Sequence, residues 1–431
     1  MIGCCNKNIY ARSIWQQSPE KNSMRLKIPG GALLSNRHVS AISMAQLIRI
    51  LGRSQSWIFI PVYLSVIRHV PYIQIGLLFF GTALLSLPFS IYGGNLIDRL
   101  GRRMAAVWLP PIIMALLLFM AFSIYFHSSL YFIYSAFLLV EPFTSIQGIL
   151  DNVVITDTTE EKQRTDAFSM VRIAGNLGFS VGPALGGFLS QISYFYVFLF
   201  PAVLTAGEWL LYIRYVSETK TDFLVRTGNF EFPWRDTKFV ILSLLVASMW
   251  FVAGQWGTTL TLFWTNIDRV PNYMIGILYS VNGLAVVFLQ MPVNWVLARM
   301  RDFNRIALGG AIYSMGFFVL AFFSGFPFLI ADVIFLTIGE NVMSPVTYSL
   351  IGKISPAEKR GQYFGAFQLL LGLIAPMAPV LGTGLLSRFS YDPLLVWLPI
   401  LVIGISMSFL VSRVGMIMRS ERKPESYETK L

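Results

Sequence analysis

Twelve apolar runs, each about 20 residues or longer, constrain this chain more than any motif in it. A helix of that length crosses the ~30 Å hydrocarbon core of a bilayer and satisfies its own backbone hydrogen bonds there. The runs fall at about 43–67, 74–97, 104–126, 130–155, 166–191 and 195–216, and after a polar stretch at about 238–265, 273–298, 305–325, 329–351, 362–386 and 395–417. The expected fold is therefore all-α and polytopic. It has twelve transmembrane helices, arranged as six (43–216) and six (238–417) around a central loop at 217–237, with tails at 1–42 and 418–431. Charged residues make up only 13 % of the chain, about half the share of a soluble protein.

Charge placement gives the expected orientation. Of 33 Lys and Arg, 27 fall in the tails and in the loops of one side, and three (Arg68, Arg269, Arg388) on the other. Arg49, Arg53 and Arg172 lie inside the spans or at their edges. Positive loops stay in the cytoplasm. Both termini are expected there, in a multi-pass protein of the cell membrane. The same distribution accounts for the net charge of +11 without a nucleic-acid partner. The N-terminal tail has no apolar core of a signal peptide. It reads as a cytoplasmic tail or as an upstream extension ahead of Met24 or Met44. Cys4 and Cys5, the two cysteines, cannot build a disulfide framework, and His38, His69 and His127 are too scattered for a metal cluster. No phosphate-cradling G-x-x-x-x-G-K-[ST] loop and no catalytic constellation occur, so no metal, cofactor or enzymatic activity is expected.

The two halves share spaced residues. Val70-Pro71 and Ile75-Gly76 recur as Val270-Pro271 and Ile275-Gly276, a shift of 200; Arg164, Phe168, Pro183 and Gly186 recur as Arg360, Phe364, Pro379 and Gly382, a shift of 196. Two series at constant offset predict a duplicated six-helix unit.

The junction of the second and third runs reads Gly93-Gly94-Asn95-Leu96-Ile97-Asp98-Arg99-Leu100-Gly101-Arg102-Arg103. It is expected to be a tight charged turn, with Gly93 and Gly94 allowing close helix approach, Gly101 relaxing the turn and Asp98 pairing with Arg102. Its order, G-x-L-x-D-R-x-G-R-R with Gly94 in the first position, resembles the loop between helices two and three of the major facilitator superfamily. Helix five carries Gly178, Gly182, Pro183, Gly186 and Gly187 in a G-x-x-x-G-P-x-x-G-G pattern that resembles the superfamily's drug–proton antiporters. That resemblance implies alternating access between two six-helix halves, a monomer, and proton-coupled export of small amphipathic molecules. It also implies a gating loop that includes Arg99, and a charge relay of Asp98 and Arg102 with an acidic residue on helix four, here Asp151. One departure stands out. The antiporters' arginine on helix four is replaced by Thr144, ahead of Ser145-Ile146-Gln147-Gly148.

Charges within spans are the strongest functional pointers, because each is costly unless paired or hydrated. Arg53 lies ~15 Å and Glu141 ~21 Å into their helices from the basic side, both near the midplane. In the resembled fold helices one and four both line the central cavity, so the two are expected to face each other. Glu340 holds the corresponding depth in the second half, Arg172 is a further member of the relay or a cavity-lining cation, Asp332 is a rim residue and Glu208 has no evident partner. Trp250, Gln255, Trp256, Asn282 and Gln290 are candidates for the cavity wall. An importer or facilitator of the same fold, and a receptor or scaffold without transport, are the alternatives.

Overall fold

The computed structural model describes residues 36–219, 232–356 and 359–420. Cys4, Cys5 and Met24 lie outside these residues. Fourteen α-helices build the described part. The first half comprises α1 (Arg37–Val62), continued by a π-helical turn at Tyr63–Ile67, α2 (Tyr72–Leu100), α3 (Arg102–Tyr125), α4 (Leu130–Thr158), α5 (Glu161–Ile192) and α6 (Tyr194–Tyr215). The second comprises α7 (Thr237–Ala253), α8 (Thr259–Asn266), α9 (Asn272–Val296), α10 (Asp302–Val319), α11 (Phe326–Ile354), α12 (Arg360–Ile374), α13 (Met377–Phe389) and α14 (Pro393–Ser420). Among the described residues, nine helical stretches are long and apolar enough by themselves to cross a membrane.

Fourteen helices give twelve crossings because two spans are broken. α7 and α8 form one, interrupted at residues 254–258; α12 and α13 form another, interrupted at Ala375-Pro376. The sequence reading took both as continuous. Pro376 has no backbone N–H to donate, and Gly254 and Gly257 remove two side chains from the other break. The breaks touch: a Cβ on Gly254 would sit 2.8 Å from that of Ala378. Both also line the central cavity, where irregular backbone at membrane depth can find water.

The predicted internal repeat reappears as geometry. His69 and Arg269 both adopt the left-handed conformation, φ 51° and 55°. In each half the next residue bonds back into the preceding helix, Val70 N to Leu64 O and Val270 N to Trp264 O, both near 2.9 Å. The halves then meet through exchanged partners. A Cβ on Gly76 would lie 2.6 Å from the Pro379 carbonyl oxygen, and one on Gly276 2.3 Å from that of Pro183. Within each half, Gly186 seats against Gln55 and Gly382 against Gln255.

α5 packs closely on α1 and α9. Cβ atoms on Gly178, Gly182 and Gly186 would come within 2.5 Å of Leu47 O, Leu51 O or Gln55 Cβ on α1, while Gly187 meets the backbone of Asn272 at the start of α9. Wide apolar surfaces such as those of Trp108, Phe288, Met291 and Trp295 stay exposed, as a helix bundle facing lipid requires.

Contacts between halves concentrate at the face opposite Asp98. There Asn266 Nδ2 donates to Ser65 Oγ (3.4 Å), Asn272 Nδ2 to Tyr194 OH (2.8 Å) and Ile73 N to Ser387 Oγ (3.1 Å). The Trp57 ring fills the space left by Gly257. That end is sealed, and the cavity between the halves opens towards the basic face that carries Asp98.

Candidate functional site

The central cavity measures about 700 Å³ and is lined from both halves. Its walls are aromatic, with Trp57, Phe79, Phe137 and Phe179 from the first half and Trp250, Trp256 and Tyr313 from the second. Its charged groups are Arg53, Glu141, Arg172 and Glu340. A largely apolar wall with a few convergent polar groups is the usual make-up of a small-molecule site. Of the other wall candidates Asn282 lines the cavity, whereas Gln255 is buried and accepts from Thr259 Oγ1 (2.7 Å).

Arg53 on α1 and Glu141 on α4 form a two-point pair, Nε to Oε1 at 2.9 Å and Nη2 to Oε2 at 2.5 Å. The Arg53 side chain is 42 % exposed, so the pair faces the cavity instead of being locked in the bundle. Glu340 accepts from Asn282 Nδ2 (3.3 Å) and shares the cavity wall with Tyr313. Arg172, exposed in the opposite wall, lies close enough to act on it electrostatically. The second-half carboxylate thus faces a first-half cation, a relation the sequence did not reveal.

The charged junction differs from the expected turn. α2 stays helical through Leu100 and α3 begins at Arg102, so the reversal is confined to Gly101, at φ 88°. A side chain there would be strained. Asp98 Oδ1 pairs with Arg102 Nη1 (2.9 Å), although the helix breaks between them. Gly93, not Gly94, makes the close approach: its Cβ would lie 2.8 Å from Ile146, whereas nothing lies within 4 Å of one on Gly94. Arg99 lines a separate groove of about 520 Å³ between α2 and α4.

The helix-four member of this cluster is Asp157, not Asp151. Arg102 Nε donates to Asp157 Oδ2 at 3.1 Å. α4 runs to Thr158, past the predicted end near 155, which puts Asp157 level with Arg102 and Asp151 about 9 Å deeper. The start of the central loop joins in. Glu218 accepts from the backbone N–H of Arg102 (3.0 Å) and Arg103 (3.2 Å) at the N-terminus of α3, and Thr219 donates to Asp157 (3.0 Å). A carboxylate at a helix N-terminus meets unsatisfied donors and the positive end of the dipole. The second half has the same bridge with its charges exchanged: Lys353 pairs with Asp302 at 2.5 Å, at offsets of 196 and 200 from Asp157 and Arg102.

Asp151 belongs to a buried cluster the sequence did not reveal. Arg49 pairs with Asp151 and, at 3.0 Å, with Glu208 Oε1. Tyr212 OH donates to Asp151 Oδ1 (2.5 Å), and Gln147 Nε2 donates to Glu208 Oε1 (3.0 Å). Arg49 lies one turn from Arg53, and Tyr212 one turn from Glu208, so helical spacing was the available signal. Asp332, expected at the rim, is instead buried between α10 and α11 close to Gly316.

The family model of the Major Facilitator Superfamily matches residues 42–326 and 271–430. Relatives at 22–27 % identity are covered over 64–93 % of their own length. One is the tetracycline resistance protein, class B, of Escherichia coli, 27 % identical over 73 % of this chain and 78 % of that protein. Another is the Na(+), Li(+), K(+)/H(+) antiporter of Planococcus maritimus, 23 % identical over 71 % of this chain and 80 % of that protein. Among solved structures, a bacterial homologue of the human lysosomal transporter Spinster, crystallised in an inward-facing and occupied conformation, superposes with a TM-score of 0.69. That match has 15 % identity and covers 87 % of this chain and 96 % of the other. With a matching fold of two six-helix bundles and a cavity between them, the chain belongs to the Major Facilitator Superfamily and is a multi-pass membrane transporter.

Proposed function

We propose that this transporter exports small amphipathic molecules in exchange for protons, by alternating access, in the cell membrane with its basic face in the cytoplasm. The observation that carries this reading is the Arg53–Glu141 pair, set in an aromatic cavity and open to solvent. A carboxylate held by a cation loses that support when the pair separates, and then takes up a proton more readily. The aromatic wall suits a flat or amphipathic solute, and the antiporter among the relatives supports ion coupling. Arg172 and Glu340 complete the site from opposite halves and would bind polar groups of the substrate. The Asp98–Arg102–Asp157 bridge, with its exchanged counterpart Asp302–Lys353, would brace the cytoplasmic ends of the two bundles.

Proteoliposomes with an imposed pH gradient and a trapped pH-sensitive dye provide the test. Lipophilic cations, sugars and organic acids are added one class at a time to the wild type and to Glu141→Gln. Proton movement evoked by lipophilic cations in the wild type and lost in the variant is the expected result. Solute flux without proton movement would instead identify a facilitator.

A further inference from the structure

A second, smaller cavity of about 40 Å³ lies inside the first bundle. Arg53, Trp57, Phe137 and Glu141 line both it and the central cavity, so the Arg53–Glu141 pair stands as a partition between them. Behind the partition the wall carries Arg49, Thr144, Gln147, Thr205 and Glu208. Such a volume holds a few waters at most, at ~10–15 Å³ of probe-occupied space for the first, and the polar wall gives them partners.

The charges around this pocket do not balance. Arg49 and Arg53 on α1 face Glu141 and Asp151 on α4 and Glu208 on α6. α3 contributes apolar Ile113, Leu117 and Met120, and Arg172 of α5 faces the central cavity. With all three carboxylates ionised, two cations oppose three anions at a site where Asp151 and Glu208 are 5 % and 1 % exposed. Uncompensated buried charge is strongly disfavoured, and one proton removes it.

Hydrogen bonding indicates where that proton sits. Glu141 has two bonds from Arg53, and Asp151 has donors from Arg49 and Tyr212. Glu208 receives Arg49 and the Gln147 amide on the same oxygen, Oε1. Gln147 Oε1 is buried and has no donor. A protonated Glu208 supplies one: the amide N–H donates to one carboxyl oxygen, and the acid O–H donates back to the amide oxygen.

We propose that Glu208 is a buried proton-binding site, reached from the central cavity through a hydrated pocket whose door is the Arg53–Glu141 pair. This deepens the proton-coupled reading by moving the stored proton to a residue outside the cavity.

The test is infrared difference spectroscopy of the full-length protein in lipid, comparing acidic with alkaline pH. The expected result is a protonated-carboxyl C=O band that disappears in Glu208→Gln and persists in Glu141→Gln. Thr205→Val should keep the band and slow its shift on transfer to D₂O. Gln147→Leu, which leaves the carboxylate in place, should move the band to higher frequency. A band that survives Glu208→Gln, or that vanishes only in Asp151→Asn, overturns the assignment, as does a band unmoved by Gln147→Leu. A Glu208 band in a protein that moves no protons with solute would refute the coupling reading and leave this site standing. Coupled proton movement without a Glu208 band would do the reverse.

Discussion

Asp268 shows how one residue can tie stability to pH. It precedes the left-handed Arg269 in the turn between α8 and α9, and its Oδ2 is buried without a partner. Burial pushes its carboxyl up from 3.8 to about 6. The folded protein therefore holds this proton more tightly than the unfolded chain does. The resulting stabilisation is fully present below 3.8 and is lost as pH rises through about 6. Asp268→Asn should flatten the pH dependence of the melting temperature across that window and raise it at neutral pH. Thermal melts of the purified protein at several pH values check this, and an unchanged slope would sink it. In the corresponding place of the first half stands Arg68, which is satisfied by Ser128 O at 2.9 Å and by Tyr63 OH.

Helix α5 shows how glycine position decides tolerance. Gly182 sits where any Cβ would collide with Ser54 Oγ and Leu51 O of α1, so Gly182→Val must push two helices apart. A loss of 1–3 kcal/mol or more is expected, in the range of overpacked cores. Gly94, in the same kind of glycine-rich stretch, has open space around it, and Gly94→Ala should be neutral or stabilising by up to about 1 kcal/mol. Melting temperatures of the two variants in one detergent test the contrast. The twelve spans and the repeat were legible because hydropathy and constant offsets are local, additive signals. The Arg53–Glu141 pair was legible because depth along two helices can be counted and the resembled fold sets helices one and four against one cavity. Asp157 was missed because a three-residue error at the end of α4 changes which carboxylate reaches Arg102. The Arg49 cluster was missed because it depends on how α1, α4 and α6 are rotated about their axes, which one sequence does not fix. The breaks in the seventh and eleventh spans were missed because Gly and Pro are common in membrane helices and interrupt only some of them.

At the scale of the whole molecule, the halves touch through one end and part at the other. Ser65 and Asn266 join them at the sealed face, 3.4 Å apart. In a background with Cys4 and Cys5 replaced, Ser65→Cys with Asn266→Cys should cross-link on oxidation, abolish transport in proteoliposomes and recover it on reduction. Full transport by the cross-linked form would show that this face need not open. The cavity that the seal encloses has a further physical consequence. Its 700 Å³ is large enough to hold roughly tens of waters. A cycle that collapses the empty cavity must return that water to the bulk, so the equilibrium between open and collapsed forms carries a pressure–volume term set by the osmotic strength of the side it faces. Neutral osmolytes too large to enter would draw the empty carrier towards such a collapsed form, and a carrier that cycles this way would respond to dehydration of the compartment it opens into as well as to its cargo.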